Sequence, residues 1–340
     1  MSALLRTSFL FFILTLVASA ASEENINQQK DAEPGGKLVV DVDFGTINVV
    51  TGADDKVVIE AYRKIDFGDE AKEKEYFAAA PVAVSQDGNI VTVRAHCTKS
   101  KQFWSFGHSE MDGRYTIRIP KRFETDLHTE GGDVTAGEIT GNTTVKTSGG
   151  KLVFKQLEGT LTANTSGGSI EVEDCRGPIQ IETSGGDIII ADGTGALDAK
   201  TSGGRIDVRN FSGDAEVRTS GGNLSLQGVT GKIIGKTSGG SIRASIRDAV
   251  IGDVRLETSA GNIDVSLPVT ATVDIDASTS VGEIFSRLPI ETENVGRERL
   301  RGKLNGGGRS VELKTSVGNI TIEPSSSEIA SLYDRRLRKR

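Results

Sequence analysis

Aromatic residues are scarce in this chain of 340 residues, at 5%, with 1 tryptophan, and there are only 7 prolines and 2 cysteines. Glycine is abundant, at 41 residues, but no G-x-y period appears, so a collagen-like chain is excluded. Valine, isoleucine and leucine recur throughout, which argues against disorder. Two cysteines make no disulfide framework. Cys175 falls in an apolar column and reads as a buried free thiol. The three histidines, His96, His108 and His128, have no metal-like spacing to one another or to cysteine. His96 and Cys97 are neighbours, and neighbours in a strand face opposite sides. The formal net charge of −7 is dispersed, and the repeats offer no basic face for specific nucleic-acid binding. After the first twenty residues no segment is apolar enough to cross a bilayer as a helix.

Those first residues read "MSALLRTSFLFFILTLVASA". Arg6 precedes an apolar run from Phe9 to Val17, and Ala18-Ser19-Ala20 supplies a small-x-small cleavage signal. A spanning helix needs about 20 apolar residues, so this run is short for an anchor. The expectation is a signal peptide over 1–20 and an exported chain, placed in the periplasm, on the cell surface or outside the cell. No cysteine follows the run to accept a lipid.

The dominant feature is "TSGG", repeated every 18 residues. Thr147, Gly149 and Gly150 frame the first full copy, and Thr165, Gly167 and Gly168 the second. Thr183, Gly185 and Gly186 come next, followed by Thr201, Gly203 and Gly204. Thr219, Gly221 and Gly222, then Thr237, Gly239 and Gly240, complete the regular series. Five residues after each threonine the chain reads Leu152, Ile170, Ile188, Ile206, Leu224 and Ile242, and two residues later it is again apolar. A second alternating stretch follows a further glycine, as at Gly159-Thr160-Leu161-Thr162-Ala163. Period-2 alternation is the strand signal, and glycine marks the corners. One 18-residue unit cannot bury its own apolar column, but stacked units can. The expected fold is all-β: a single-stranded parallel β-solenoid (β-helix) with two short strands per coil, stacked at about 4.8 Å. A propeller blade needs about 40 residues, too many for this period. In the turn, the glycines are expected to permit positive φ or close backbone approach, and the hydroxyls to bond the corner's backbone.

The pattern loosens at both ends. Residues 21–36 read as a polar linker, and 37–128 as irregular β coils with a helical insert at Asp69 to Ala80. The repeat proper spans 129–323, and a basic tail covers 324–340. "TSAG" at Thr258 and "TSVG" at Thr279 are 21 residues apart, and the last "TSVG", at Thr315, lies 36 further on. Arg287 to Ser310, within that interval, reads as a protruding loop.

No residue set reaches the standard of a catalytic site. The exposed acids, such as Glu171, Glu182, Asp187 and Asp207, scatter over both strands and corners, without the carboxylate pair that glycan hydrolysis needs. The calcium nonapeptide is absent, as is a G-x-S-x-G elbow. Charges beside the threonines, such as Lys146 and Glu182, argue against an ice-binding face. Neither metal nor cofactor is expected. Two surface segments are candidates for ligand contact. Phe103, Trp104 and Phe106 could stack on a sugar or a partner, against a competing role as an end cap. Arg297, Arg299 and Arg301 alternate in the late loop and could meet an anionic surface, against the plainer reading of a solvated charge run.

The T-S-G-G repeat with its alternating strands, and the ending "GGGRSVELKTSVGNITI" from Gly306 to Ile322, resemble a bacterial putative-adhesin family of unknown function. The likeness runs from Lys37 to Glu323 and is strongest from Thr129 to Leu267. It implies an exported β-solenoid and supplies no catalytic residues. The expected function is adhesin-like binding or a structural role in the cell envelope, with a glycan or an envelope protein as partner. The alternative is a polysaccharide lyase or hydrolase on a β-helical scaffold.

Overall fold

Strand pairing follows the 18-residue period. In the computed structural model, which describes residues 22–97, 110–247 and 252–325 (backbone only at 293–295), Ile170 lies beside Ile188 and Ile188 beside Ile206 in parallel register. On the other face Leu161 pairs with Ile179, and Ile179 with Leu197. One turn of the chain thus contributes a strand to each of two sheets, of 14 and 15 strands. Their inward residues form one aliphatic core, with Val134, Leu152, Ile170, Ile188 and Ile206 wholly buried. A row of single-residue bridges from Arg122 through Thr140, Glu158, Arg176 and Thr194 to Ser212 holds the corner between the strands. The expected β-solenoid is the observed architecture.

The turn residues divide their work unevenly. A Cβ on Gly168 would lie 1.9 Å from the carbonyl oxygen of Gly150, and one on Gly186 2.0 Å from that of Gly168. The second glycine of each copy therefore sits directly over the one before, leaving no room for any side chain. A Cβ on Gly167 would meet nothing nearer than 3.8 Å, and this first glycine needs no left-handed backbone. Of the two reasons expected for glycine in these copies, positive φ and close backbone approach, only close approach operates, and only at the second glycine. In the end copies Ala260, Val281 and Val317 occupy the first position, and both valines are exposed.

Each threonine is buried and bonds in two directions. Thr183 Oγ1 donates to the Gly168 carbonyl at 2.8 Å and accepts from the Gly186 N–H at 3.3 Å. Thr165, Thr201, Thr219 and Thr237 repeat the clasp at 2.9–3.0 Å to the preceding coil. A further column takes the left-handed conformation: Glu138, Gln156, Asp174, Asp192, Asn210 and Gly228, with φ from 49 to 67°. The apolar column that follows it tolerates size changes by exchange between coils. Gly193 leaves a gap that the Phe211 ring fills, 2.8 Å from where a Cβ would stand.

Both ends depart from simple succession. The last coil, Arg309–Val317 with Ile320–Pro324, inserts between the coil of Val254–Ala260 and Ile263–Leu267 and that of Val273–Val281 and Ile284–Ser286. Thr315 accordingly bonds the Gly261 carbonyl, and Thr279 that of Gly318. At the other end the first coil, Gly36–Phe44 with Thr46–Thr51, lies between Ile90–Ala95 with Glu110–Ile119 and Phe123–Gly131 with Val134–Gly137. The expected protruding loop at Arg287 to Ser310 is instead an antiparallel hairpin, Glu291–Val295 with Arg299–Leu304, paired to Val273–Val281. The expected linker over 21–36 is also corrected. Ser22–Asp31 is a strand antiparallel to Lys56–Asp66. Its polar side chains suit an edge, and pairing satisfies backbone groups on the strand it covers. The helix forms at Glu70–Ala79, capped by Asp69, which accepts from the Ala71 and Lys72 N–H groups. Tyr76 and Ala80 pack with Ile65 and Cys97 in a small cluster of their own.

The two glycines should respond differently to substitution. Gly168→Ala is expected to cost about 3 kcal/mol or more, because the clash is with backbone. Gly167→Val should stay within about 1 kcal/mol, as an exposed change at a position valine fills elsewhere. Urea unfolding of the two variants checks the contrast.

Candidate functional site

The corners that bring the repeats into register also align their exposed side chains. Beside the buried threonines runs a trough of about 540 Å³, crossing six coils from Glu182 to Lys314 and Ser316. At the strand spacing this is a length of about 24 Å. One wall carries Lys200, Arg218, Lys236 and Lys314, with Glu182 and Glu257 in the same row. The other carries the hydroxyls of Ser202, Ser220, Ser238, Ser259 and Ser316. The backbone of this corner is already bonded, as in the Ser202 and Gly203 N–H groups donating to the Ser184 carbonyl. The exposed hydroxyls of Ser202, Ser220 and Ser238 have no hydrogen-bond partner among the described residues.

The charges are balanced locally. Lys200 pairs with Asp198 at 2.8 Å, and Arg218 with Glu216. Glu257 receives Lys236 at 2.9 Å and Arg255 at 2.5 Å. Burial pushes the Glu257 carboxyl up, but those two cations outweigh it and hold it below its usual range. Such exposed pairs are individually weak. Together they leave a face without a dominant sign, which offers a polyanion little attraction.

The residues singled out from the sequence fare differently. Phe103, Trp104 and Phe106 lie outside the described residues. Arg299 and Arg301 converge on Asp276, at 3.5 Å for Arg299, and Arg297 lies 3.8 Å from Glu283. Burial raises the Asp276 pKa, but the two guanidiniums prevail and lower it. The late arginines thus join a hairpin to the sheet edge. The structural turn residues line the trough instead, through Thr183, Thr201, Thr219 and Thr237. The threonine and serine hydroxyls were alike expected to bond the corner's backbone; the structure gives that bonding to threonine and turns the serine hydroxyls into the trough. Among the described residues no group of three or more His, Cys, Asp or Glu could hold a metal ion. Cys175 is buried and free, and burial pushes its thiol up to about 11.

A separate polar group lies on the first coils. His96 is held between two carboxylates, Nε2 at 2.8 Å from Asp41 and Nδ1 at 2.5 Å from Asp43. Partial burial lowers its pKa, but the hydrogen bonds it donates to Asp43 and Asp41 and the charges of those carboxylates raise it more.

Architecture and corner chemistry together define a class: an all-β repeat protein of stacked coils in two sheets. The chain belongs to the Toastrack DUF4097 family, which residues 36–217 and 211–323 match. Three solved structures are similar over most of the chain. One is a putative cell adhesion protein from Clostridium sporogenes, 12% identical over 88% of this chain and 100% of its own, with a TM-score of 0.20. A putative adhesin from Bacteroides fragilis is 15% identical over 89% and 98%, with a TM-score of 0.33. A putative lipid binding protein from Parabacteroides distasonis is 11% identical over 87% and 96%, with a TM-score of 0.31. None of the curated proteins matches.

The His96 clamp predicts a pH dependence of defined sign. Its folded pKa lies above the unfolded value of about 6.5, so the folded chain binds the extra proton. Its stabilisation is full below that value and is lost as pH rises through the folded pKa. Unfolding measured from acid to alkaline pH should show a wild-type advantage over His96→Gln at low pH that shrinks toward high pH.

Proposed function

We propose that the chain is an exported, non-catalytic binding protein of the cell envelope, and that its trough holds an extended, polyhydroxylated chain, a glycan. The observation that carries this reading is the row of serine hydroxyls without partners, repeated once per coil at about 4.8 Å beside paired charges. An extended glycan advances by about one ring per residue and presents hydroxyls at a comparable interval. The balanced charges around the trough favour a neutral or mixed-charge polymer over a strongly acidic one. Export is supported by the leading apolar run with its Ala18-Ser19-Ala20 signal. Absence of catalysis is supported by scattered carboxylates along a smooth, open trough.

A glycan array probed with the mature chain tests the proposal. The triple variant Ser202→Ala, Ser220→Ala, Ser238→Ala should bind about tenfold or more weaker, at an unchanged melting temperature, because each lost hydrogen bond is worth about 1 kcal/mol. Full binding in that variant together with loss in Trp104→Ala would move the site to the aromatic segment. Absence of binding to any glycan would end the reading.

A further inference from the structure

Glu73 is a carboxylate with no exposed surface, in the first turn of the helix Glu70–Ala79. Its Oε2 accepts from the Ser22 N–H at 3.1 Å and the Ser22 hydroxyl at 2.7 Å, and its Oε1 from the Phe67 N–H at 2.9 Å. No cation pairs with it among the described residues. The nearby buried guanidinium of Arg63 is already committed: its Nε donates to Glu24 at 2.9 Å, its Nη1 to the Ala80 carbonyl at 2.7 Å, and it lies 5.0 Å from the centre of the Phe77 ring. A buried charge met only by neutral donors is costly, and an opposite charge offsets that cost. The donor on which Glu73 closes is the backbone nitrogen of the second residue after the expected cleavage point.

We propose that Glu73 is the receptor for the chain's own processed N-terminus. Hydrolysis of the Ala20–Ala21 amide by a processing protease adds water across the bond, leaving a carboxylate on Ala20 and an ammonium on Ala21. Ala21 is bonded to Ser22, and adjacent residues lie about 3.8 Å apart, so the new positive charge arises within one residue of the buried carboxylate. Before cleavage the same nitrogen is an uncharged amide. Processing therefore supplies a countercharge that no other described residue gives Glu73, and it secures the edge strand Ser22–Asp31 along Lys56–Asp66. Amine capture by a preformed acceptor is a known recognition mode. Here acceptor and ligand belong to one chain.

The inference rests on the export half of the preceding reading and is independent of any glycan. The intact mass of the exported protein separates the two. A mass that retains residues 1–20 sinks the export reading, and with it this one. With the mass of a chain starting at Ala21, the test compares that chain with a free terminus and with an N-acetyl group. The free form is expected to melt about 2–4 °C higher and to exchange the Ser22–Asp31 amides more slowly. Its α-amino pKa should exceed the usual value of about 7.7–8.0. With that pKa raised, the advantage is full at lower pH and fades as pH rises through it. In Glu73→Gln acetylation should change nothing. Equal melting and exchange of the two wild-type forms would overturn the proposal, as would an acetylation effect that persists in Glu73→Gln. Should that variant fail to fold, the wild-type pair and its α-amino pKa decide alone.

Discussion

The close approach of one coil's second glycine to the carbonyl of the coil before it governs everything else in this molecule. Strands in register stack at about 4.8 Å, and at the TSGG corner that spacing leaves less than a methyl group's room, as the 1.9 Å from a Cβ on Gly168 to the Gly150 oxygen shows. The corner must therefore be bare. Being bare, it brings each carbonyl within reach of the next threonine, whose hydroxyl takes it up. A buried hydroxyl left unpaired would cost about 1–3 kcal/mol, so the threonine and the second glycine depend on each other. A small turn also keeps the neighbouring surface open, and the trough follows from that.

A stack of identical coils would leave two raw sheet edges, each a template for aggregation. The chain deals with this by making its terminal coils internal. The first coil is enclosed between the second and third, and the last between the two that precede it. Three of the four outermost strands are then antiparallel, while the fourth, the short Ile284–Ser286, pairs in parallel with Ile320–Pro324. Ser22–Asp31 carries one hydrophobic side chain, Ile26, among polar ones. At the far end Arg299 and Arg301 bind Asp276 and fasten the hairpin across the sheet. Charge at the ends thus serves closure, which explains why the alternating arginines make a poor case for an anionic ligand.

The regular coils were legible because their period is constant and their columns are apolar. Ile170, Ile188 and Ile206 announce their own contact. Coil order at the C-terminal end was not legible. Thr258, Thr279 and Thr315 carry equivalent corners, and a repeat states which surfaces fit without stating which copy sits next to which. The strand Ser22–Asp31 gave no apolar alternation, because an edge strand facing water has no reason to show one. The left-handed column of Asp174, Asp192, Asn210 and Gly228 was present in the sequence as a run of residues that tolerate positive φ; it was hidden by Glu138 and Gln156 at the same position in the first copies. The trough was the least legible feature, since serine in a turn usually bonds its own backbone, and only the structure shows threonine alone filling that role and leaving the serine hydroxyls outward.

The regular spacing of the coils bears on the kind of ligand proposed for the trough. A small molecule lying on one coil would meet one serine hydroxyl and one already paired cation. A hydrogen bond of that kind contributes about 1 kcal/mol, well short of the several kcal/mol that association costs in lost freedom. Useful affinity must come from addition over coils, and addition requires that the ligand's groups recur at the interval of the protein's own. A polymer tied into one chain meets each further coil at high effective concentration. A surface that repeats every 18 residues and offers little at any single position is therefore suited to a partner that is itself repetitive, and discrimination would come from matching intervals more than from any one contact.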